Sequence, residues 1–360
     1  MSDSVKTALA AVVDGRTLAL DEAREVMGSV MDGEATPALL AALLVALRMR
    51  GETVDELAGF ASAMRERVVR VEAPEGTVDT CGTGGDSSGT FNISTTAALV
   101  VAAAGVPVAK HGNRAVTSKS GSADVLDALG IRIDHDAASA GAALRDLGFA
   151  FLFAPGFHPA MRHAGPTRGE IGVRTAFNLL GPLTNPAGAR RQVVGVADPS
   201  AAPRLAAVLH RLGVDRAFVV GGAGIDELPL DGTGLIHDVT PDGVEVRPVD
   251  AVALGLGKAS LAKLAGGSPA DNAKIVESVL RGEPGARRDV VLLNAGAALV
   301  VAGVVEDIEA GIDRAALTID AGLTADLLAR LRAERHDADA AKAATAGTES
   351  LAEMPEGARA

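Results

Sequence analysis

Residues 78–130 read VDTCGTGGDSSGTFNISTTAALVVAAAGVPVAKHGNRAVTSKSGSADVLDALG, and they hold two polar, glycine-bearing loops laid out alike. Each loop follows a short β-branched run and precedes a helix-like apolar segment, so strand, loop and helix occur twice over. In the first unit Val78 to Cys81 is the strand end and Gly82-Thr83-Gly84-Gly85-Asp86 permits a tight turn with outward N–H groups. Asn92-Ile93-Ser94-Thr95 then supplies capping side chains for a helix that continues through Ala104 and stops at Gly105. In the second unit Val106 to Ala109 is the strand, Lys110-His111-Gly112-Asn113-Arg114 brings two permanent cations, and Ser118 to Ser122 caps a helix running to Gly130. A helix start with bare N–H groups and the positive dipole end holds phosphate. Two such loops side by side predict a ligand with at least two phosphate groups. Common nucleotide motifs do not fit: Asp86 follows Gly85 where a P-loop needs Lys, and Ser87 stands where a dinucleotide fingerprint needs glycine.

Outward from this stretch the alternation continues. Ile131 to Ile133, Phe149 to Phe153, Val193 to Val196 and Phe218 to Val220 read as further strands, with helical stretches closed by Gly130, Gly148 and Gly213. The expected fold class is α/β, with a central, mostly parallel sheet flanked by helices and a ligand site beyond the carboxyl ends of its strands. Residues 1 to about 72 read as helices only: Thr36-Pro37 opens one that ends at Gly51, and Thr53-x-x-Glu56 is a capping box for one through Arg67. The apolar face Leu39, Leu40, Leu43, Leu44, Leu47 fits either tight packing within this small helical domain or burial against a second copy. Later, Gly234 to Val249 suggests short antiparallel strands, followed by helices over 270–281, 287–303 and 324–334. From about residue 336 the Ala-, Asp- and Glu-rich chain with Gly347 and Pro355 reads as a mobile tail, with a frayed helix as the alternative.

Composition narrows the function. With 34 Lys and Arg against 46 Asp and Glu the net charge is −12, which disfavours broad binding to nucleic acid or anionic membrane. Tryptophan and tyrosine are absent and only 8 Phe occur, so stacking platforms for single strands are scarce. One cysteine, Cys81, leaves no internal disulfide and no cysteine zinc cluster, and reads as a packed small hydrophobe. No signal peptide is evident, and the longest apolar run, Val290 to Val305, is broken by Asn294 and short for a membrane span. The expected setting is cytoplasmic.

The GTGGD, Thr90, Asn92-x-Ser94-Thr95 and KHGNRAV…SGSADVL segments, with HPAMRHAGPTRGEIGVRTAFNLLGPLTNPA at 158–187 and Asp226-Glu227, resemble those of the anthranilate phosphoribosyltransferases, of the class that includes the pyrimidine nucleoside phosphorylases. The likeness runs in order over roughly residues 10 to 335. It implies displacement of pyrophosphate from C1 of phosphoribosyl pyrophosphate by the amine of anthranilate, a step of tryptophan biosynthesis. It also implies a discontinuous helical domain (1–73 and about 166–190) that dimerises, an α/β domain (74–165 and 191–335), a flexible tail (336–360), and a cleft at the junction.

Residue by residue, the resemblance assigns phosphoribosyl pyrophosphate to Gly82, Gly85, Asp86, Thr90, Asn92, Ile93, Ser94, Thr95, the run Lys110, His111, Gly112, Asn113, Arg114, Ala115, Val116, Thr117 and Ser118, and Ser122. Anthranilate would meet Gly82, Asn113, His111, His158 and Arg168, whose planar guanidinium suits a carboxylate. Mg²⁺ would be held by Ser94, Asp226 and Glu227, hard oxygen ligands suited to that ion. Arg168, Asn113 and Lys110 would act by positioning and charge stabilisation, since an aromatic amine is nucleophilic near neutral pH, and no general base is assigned. Thr117 departs from the family's usual serine but keeps a hydroxyl. Two other readings are a phosphorylase of the same architecture, whose Lys/Ser signature is replaced here by GTGGD and KHGNRAV, and a nucleic-acid-binding relative without activity, which should carry a basic groove.

Overall fold

The computed structural model describes residues 3–84, 88–115 and 119–352, with side chains through 343. Four helices come first: α1 (Asp3–Val13), α2 (Leu20–Met31), α3 (Pro37–Arg50) and α4 (Val54–Arg67). Their starts follow from local chemistry. Thr36 Oγ1 accepts from Leu39 N at 3.3 Å with Pro37 at the first turn, and Thr53 and Glu56 close a reciprocal capping box.

The α/β part then runs β1 (Val78–Gly82), α5 (Ile93–Ala103), β2 (Val108–Gly112), α6 (Ser122–Ala128), α7 (Ala137–Asp146), β3 (Phe149–Phe153), α8 (Ala154–Phe157), α9 (Gly165–Ile171), α10 (Phe177–Leu180) and β4 (Arg191–Gly195). It continues with α11 (Ala202–Arg211), β5 (Arg216–Gly221), β6 (Thr233–Thr240), β7 (Gly243–Asp250), α12 (Pro269–Leu280), α13 (Ala286–Ala302), α14 (Ile308–Asp320) and α15 (Leu323–Ala352). One sheet has the order β3-β2-β1-β4-β5-β6-β7; its first five strands are parallel, and β6 and β7 join antiparallel. From β1 the chain builds outward to β2 and β3 on one side, while β4 and β5 extend the other. Strand order therefore reverses beside β1, which opens a crevice at the carboxyl end of that strand, where the first glycine loop lies.

Alternation along the strands gives the sheet two buried faces. Val193, Phe218, Val220 and Ile236 join one core with α5, α13 and α14; Val194, Ala217, Val219 and Val239 join another with α1–α4 and α11. Segment 165–180 turns back to the helical bundle, α9 packing on α3 and α10 on α4.

One sequence expectation is corrected, and one open pair is decided. Ile131–Ile133 is no strand: the stretch has no regular structure and pairs with nothing in the sheet, because β3 takes the place beside β2 and Ile131 N is held by Leu126 O after α6. From about residue 336 the chain takes the helical one of the two readings. α15 continues to Ala352, where Ala and Glu sustain it, with Arg335 paired to Asp127 at 2.8 Å and Lys342 to Asp134. Among the described residues no helix is long and apolar enough to cross a membrane.

Candidate active site

The first loop leaves β1 at Gly82. Thr83 N donates to Gly195 O at 2.9 Å, and farther on Phe91 N to Leu264 O at 3.0 Å and Gly266 N to Gly89 O at 2.8 Å stitch the loop to the segment before α12. Gly85 and Asp86, assigned here by resemblance, lie outside the described residues, as do Val116, Thr117 and Ser118 of the second loop. Thr90 Oγ1 lies 3.0 Å from Ser88 Oγ. Ile93 and Thr95 are buried, and the Ile93 N–H already donates to Phe91 O at 2.7 Å.

The expected side-chain cap of α5 is absent. Asn92 instead contacts Ser120 and Asn272, accepting from Asn272 Nδ2 at 2.9 Å, while the helix-start N–H of Ser94 donates to Glu227 Oε1 at 3.0 Å. A carboxylate from a distant segment thus occupies the dipole end where phosphate was expected, and it joins Ser94, Asp226 and Glu227 in one place. Glu227 is buried, and that burial, with Asp226 beside it, raises its pKa to about 8 against the pull of Lys110 and Ser94. A Cβ on Gly82 would collide with Asp226 Oδ2, and one on Gly195 with the Asp226 backbone; both glycines exist here because the carboxylate pair comes so close. Among the described residues no group of three or more His, Cys, Asp or Glu side chains gathers as a complete metal cage.

Neither cation of the second loop is presented bare. Lys110 is buried: its Nζ donates to Thr80 O at 2.5 Å, and burial lowers its pKa while Asp79, Cys81, Glu227 and Asp226 push back. Arg114 turns to its own helix, reaching Asp124 at 2.9 Å and Asp127 at 3.4 Å. Asp124 also caps α6, accepting from Gly121 N and Ala115 N at 2.9 Å, in place of the serines. Asn113, exposed, receives Arg114 N on Oδ1 at 2.8 Å, and its carbonyl accepts from Ser122 Oγ at 3.3 Å. Gly112 has no room for a Cβ beside Ser122 and Phe151. Cys81 is inert, its thiol pushed well up by burial and by Asp79.

His111 and His158 meet over the end of β2, Nε2 to Nε2 at 3.2 Å, and His111 Nδ1 lies 3.2 Å from Gly181 O. A carbonyl only accepts, so a neutral His111 carries its proton on Nδ1. Burial holds them to about 3 and about 4. This pair ties segment 158–181 to the sheet. On that segment Arg168 lies with its guanidinium carbon 4.9 Å from the centre of the buried Phe177 ring; desolvation lowers its pKa, and no carboxylate among the described residues pairs with it.

Several positioning groups escaped the sequence reading. Buried Asp79 accepts from His111 N at 3.2 Å and from Asn185 Nδ2 at 2.8 Å, and Asn185 also reaches Ala109 O at 2.9 Å. Asn294, noticed only as a break in an apolar run, holds both the N–H (2.9 Å) and the carbonyl (3.1 Å) of Leu228, directly after the carboxylate pair. A lone amide in an apolar helix was the available signal, since a buried amide must find partners.

Two family profiles match the chain: "Glycosyl transferase family, helical bundle domain" over residues 6–68 and "Glycosyl transferase family, a/b domain" over 74–325. The chain is 52% identical over 330 residues to an anthranilate phosphoribosyltransferase of Pelotomaculum thermopropionicum, covering 91% of this chain and 95% of that one. It is 51% identical to that of Xanthobacter autotrophicus over 326 residues, covering 88% and 92%. Among solved structures, anthranilate phosphoribosyltransferase from Thermus thermophilus superposes with a TM-score of 0.87 at 45% identity, covering 91% of this chain and 99% of that one. The Saccharomyces cerevisiae enzyme in complex with PRPP and Mg shares the fold, with a TM-score of 0.85 at 24% identity over 94% and 99%.

Proposed function

The chain belongs to the anthranilate phosphoribosyltransferase family, and on that premise we propose that it transfers the phosphoribosyl group of 5-phosphoribosyl 1-pyrophosphate to the amine of anthranilate in tryptophan biosynthesis. The observation that carries the reading is Arg168: a desolvated guanidinium stacked on Phe177 without a carboxylate partner among the described residues is matched to an incoming aromatic carboxylate.

The amine lone pair attacks C1 as the C1–oxygen bond to pyrophosphate breaks; the electrons leave with pyrophosphate and the amine proton passes to solvent. What the chain supplies is alignment and a home for charge. Gly82, Thr90, Asn92, Ser94 and the backbone of the first loop would bind the pyrophosphate, with Gly112 to Ala115 and Ser122 on the ribose phosphate side. Asn113, His111 and His158 would line the acceptor pocket. Lys110, held inside, would neutralise charge through the sheet end rather than grip phosphate directly. In this reading Gly85, Asp86, Val116, Thr117 and Ser118 complete the two loops.

Ser94, Asp226 and Glu227 fit Mg²⁺: hard oxygens converge, and two adjacent carboxylates, one buried and raised to about 8, are eased by a dication. The ion would neutralise pyrophosphate charge, with substrate and water oxygens filling its remaining positions. The reading includes a cytoplasmic enzyme, with residues 1–73 and about 166–190 as one helical domain and a homodimer through exposed Val13, Val45 and Met49. Sedimentation as a monomer at working concentration would remove the dimer. The transferase is tested by following anthranilate fluorescence with 5-phosphoribosyl 1-pyrophosphate and Mg²⁺, with no tryptophan in the protein to interfere. Consumption is expected; none, with tight oligonucleotide binding instead, would replace the reading.

A further inference from the structure

Arg174 lies between α9 and α10, on the segment that carries Arg168, and its side chain crosses to the first loop. One terminal nitrogen donates to Gly84 O at 2.7 Å and the other to Thr83 O at 3.3 Å. Beyond the bond from Thr83 N to Gly195 O, the loop borders open space here. A cavity of about 250 Å³ lies between the rear of Thr83–Gly84 and Arg48, Glu52, Asp198 and Arg204, and a Cβ on Gly84 would meet nothing within 4 Å. Arg204 is turned to Glu52 (2.8 Å to its carbonyl, 3.2 Å to its carboxylate), and Asp198 accepts from Ser200, so these three groups are engaged away from the loop carbonyls.

A trans peptide is planar, with its C=O and N–H on opposite sides. When Thr83 O faces Arg174, the Gly84 N–H must face the other way. We propose that Arg174 is a positioning residue for phosphoribosyl pyrophosphate: by drawing the Thr83 and Gly84 carbonyls to its own side of the loop, it turns the Gly84 N–H to the opposite side, and it does so from the segment that also holds the aromatic acid. This rests on the transferase reading, because it takes the first loop as the pyrophosphate cradle. Charge-assisted bonds to two carbonyls keep the peptide planes fixed before substrate arrives, so their ordering cost is not charged to binding. Gly84 needs that restraint because its φ of 66° leaves it with the freedom of glycine.

The test compares wild type, Arg174→Ala and Arg174→Lys in the full chain, with both substrates varied and with hydrogen exchange measured over the peptide containing residues 83–90. In Arg174→Ala we expect the KM for 5-phosphoribosyl 1-pyrophosphate to rise about tenfold and the KM for anthranilate at saturating co-substrate to stay within about twofold, with faster exchange of the loop amides. Guanidinium ion should restore both the KM and the exchange rate, since the adjoining cavity admits it, and Arg174→Lys should fall between. An unchanged KM and exchange rate in Arg174→Ala overturns the proposal. So does a parallel rise in both KM values that guanidinium leaves untouched, the pattern of a segment that has merely loosened. A wild type that consumes no anthranilate sinks the transferase reading instead, and the exchange comparison still decides whether Arg174 holds the loop.

Discussion

Replacing Arg168 by alanine removes one guanidinium and nothing that the sheet leans on. The side chain is half-buried over Phe177, has no carboxylate partner among the described residues, and is held below its ordinary pKa by desolvation. An anthranilate carboxylate bound there would gain a forked, charge-assisted contact. A hydrogen bond to a charged group contributes about 1.5–3 kcal/mol, and partial solvent access argues for a total of about 2–3 kcal/mol for the pair. The KM for anthranilate should rise roughly 30- to 150-fold, at about 1.4 kcal/mol per factor of ten. Because the carboxylate is present in ground and transition states alike, kcat at saturating anthranilate should return to within about twofold. Arg168→Lys keeps the charge but loses the fork and the flat stacking, so an increase of about tenfold is expected. The assay is depletion of anthranilate fluorescence, run in parallel with aniline, which lacks the carboxylate, detected by pyrophosphate release. Wild type should prefer anthranilate strongly and Arg168→Ala should lose most of that preference. If Arg168→Ala discriminates between the two amines as wild type does, the carboxylate is read by another group and the reasoning fails.

Gly82→Ala should push Asp226 aside without straining the backbone, since Gly82 is not among the positive-φ glycines, and should raise the Mg²⁺ concentration for half-activation by about tenfold; an unaltered activation curve would separate Asp226 from metal binding. Asn185→Ala strips buried Asp79 of one donor and leaves Ala109 O without the Asn185 amide, a loss of about 2 kcal/mol. Calorimetry should then show a Tm lower by about 3 °C, and an unshifted Tm would contradict the network's role. His111 and His158 are neutral in the fold, held to about 3 and about 4, whereas in the unfolded chain they protonate near 6.5. Folded pKa values are therefore depressed: the full stability is present above pH 6.5 and declines as pH falls towards about 4 and then about 3. The double variant His111→Gln with His158→Gln should show a flatter Tm over that range than wild type, and identical slopes would refute the neutral assignment.

What the sequence made legible was whatever is decided within a few residues. Strands β1 to β5 come from short apolar runs between glycine turns, the starts of α3 and α4 from Thr36 and Thr53, and the glycine loops from their own composition. Ile131–Ile133 looks the same locally, yet β3 takes the place beside β2 and the Ile131 N–H is already given to Leu126 O. Asn92 had the right chemistry for a cap, but Glu227, 133 residues away, took the Ser94 N–H, and no short-range pattern announces such a partner. In the sequence Lys110 and Arg114 stand as open cations, because burial and ion pairing are tertiary facts. Arg174 had no distinguishing neighbourhood in sequence; its meaning is the pair of carbonyls it reaches.

The last helix has a bearing on how the protein is made. Leu327, Leu328 and Leu331 of α15 fill the core, while Arg332 fastens Leu129 O at 2.6 Å, Arg335 reaches the carbonyls of Asp127 and Ile131, and Arg330 that of Asp146. The turn that follows the second loop's helix is thus pinned by residues translated some two hundred positions later. A nascent chain still on the ribosome can pair its parallel strands in order of emergence. It cannot lock that turn until α15 has emerged, so binding competence should arrive late in synthesis, after the sheet is already paired.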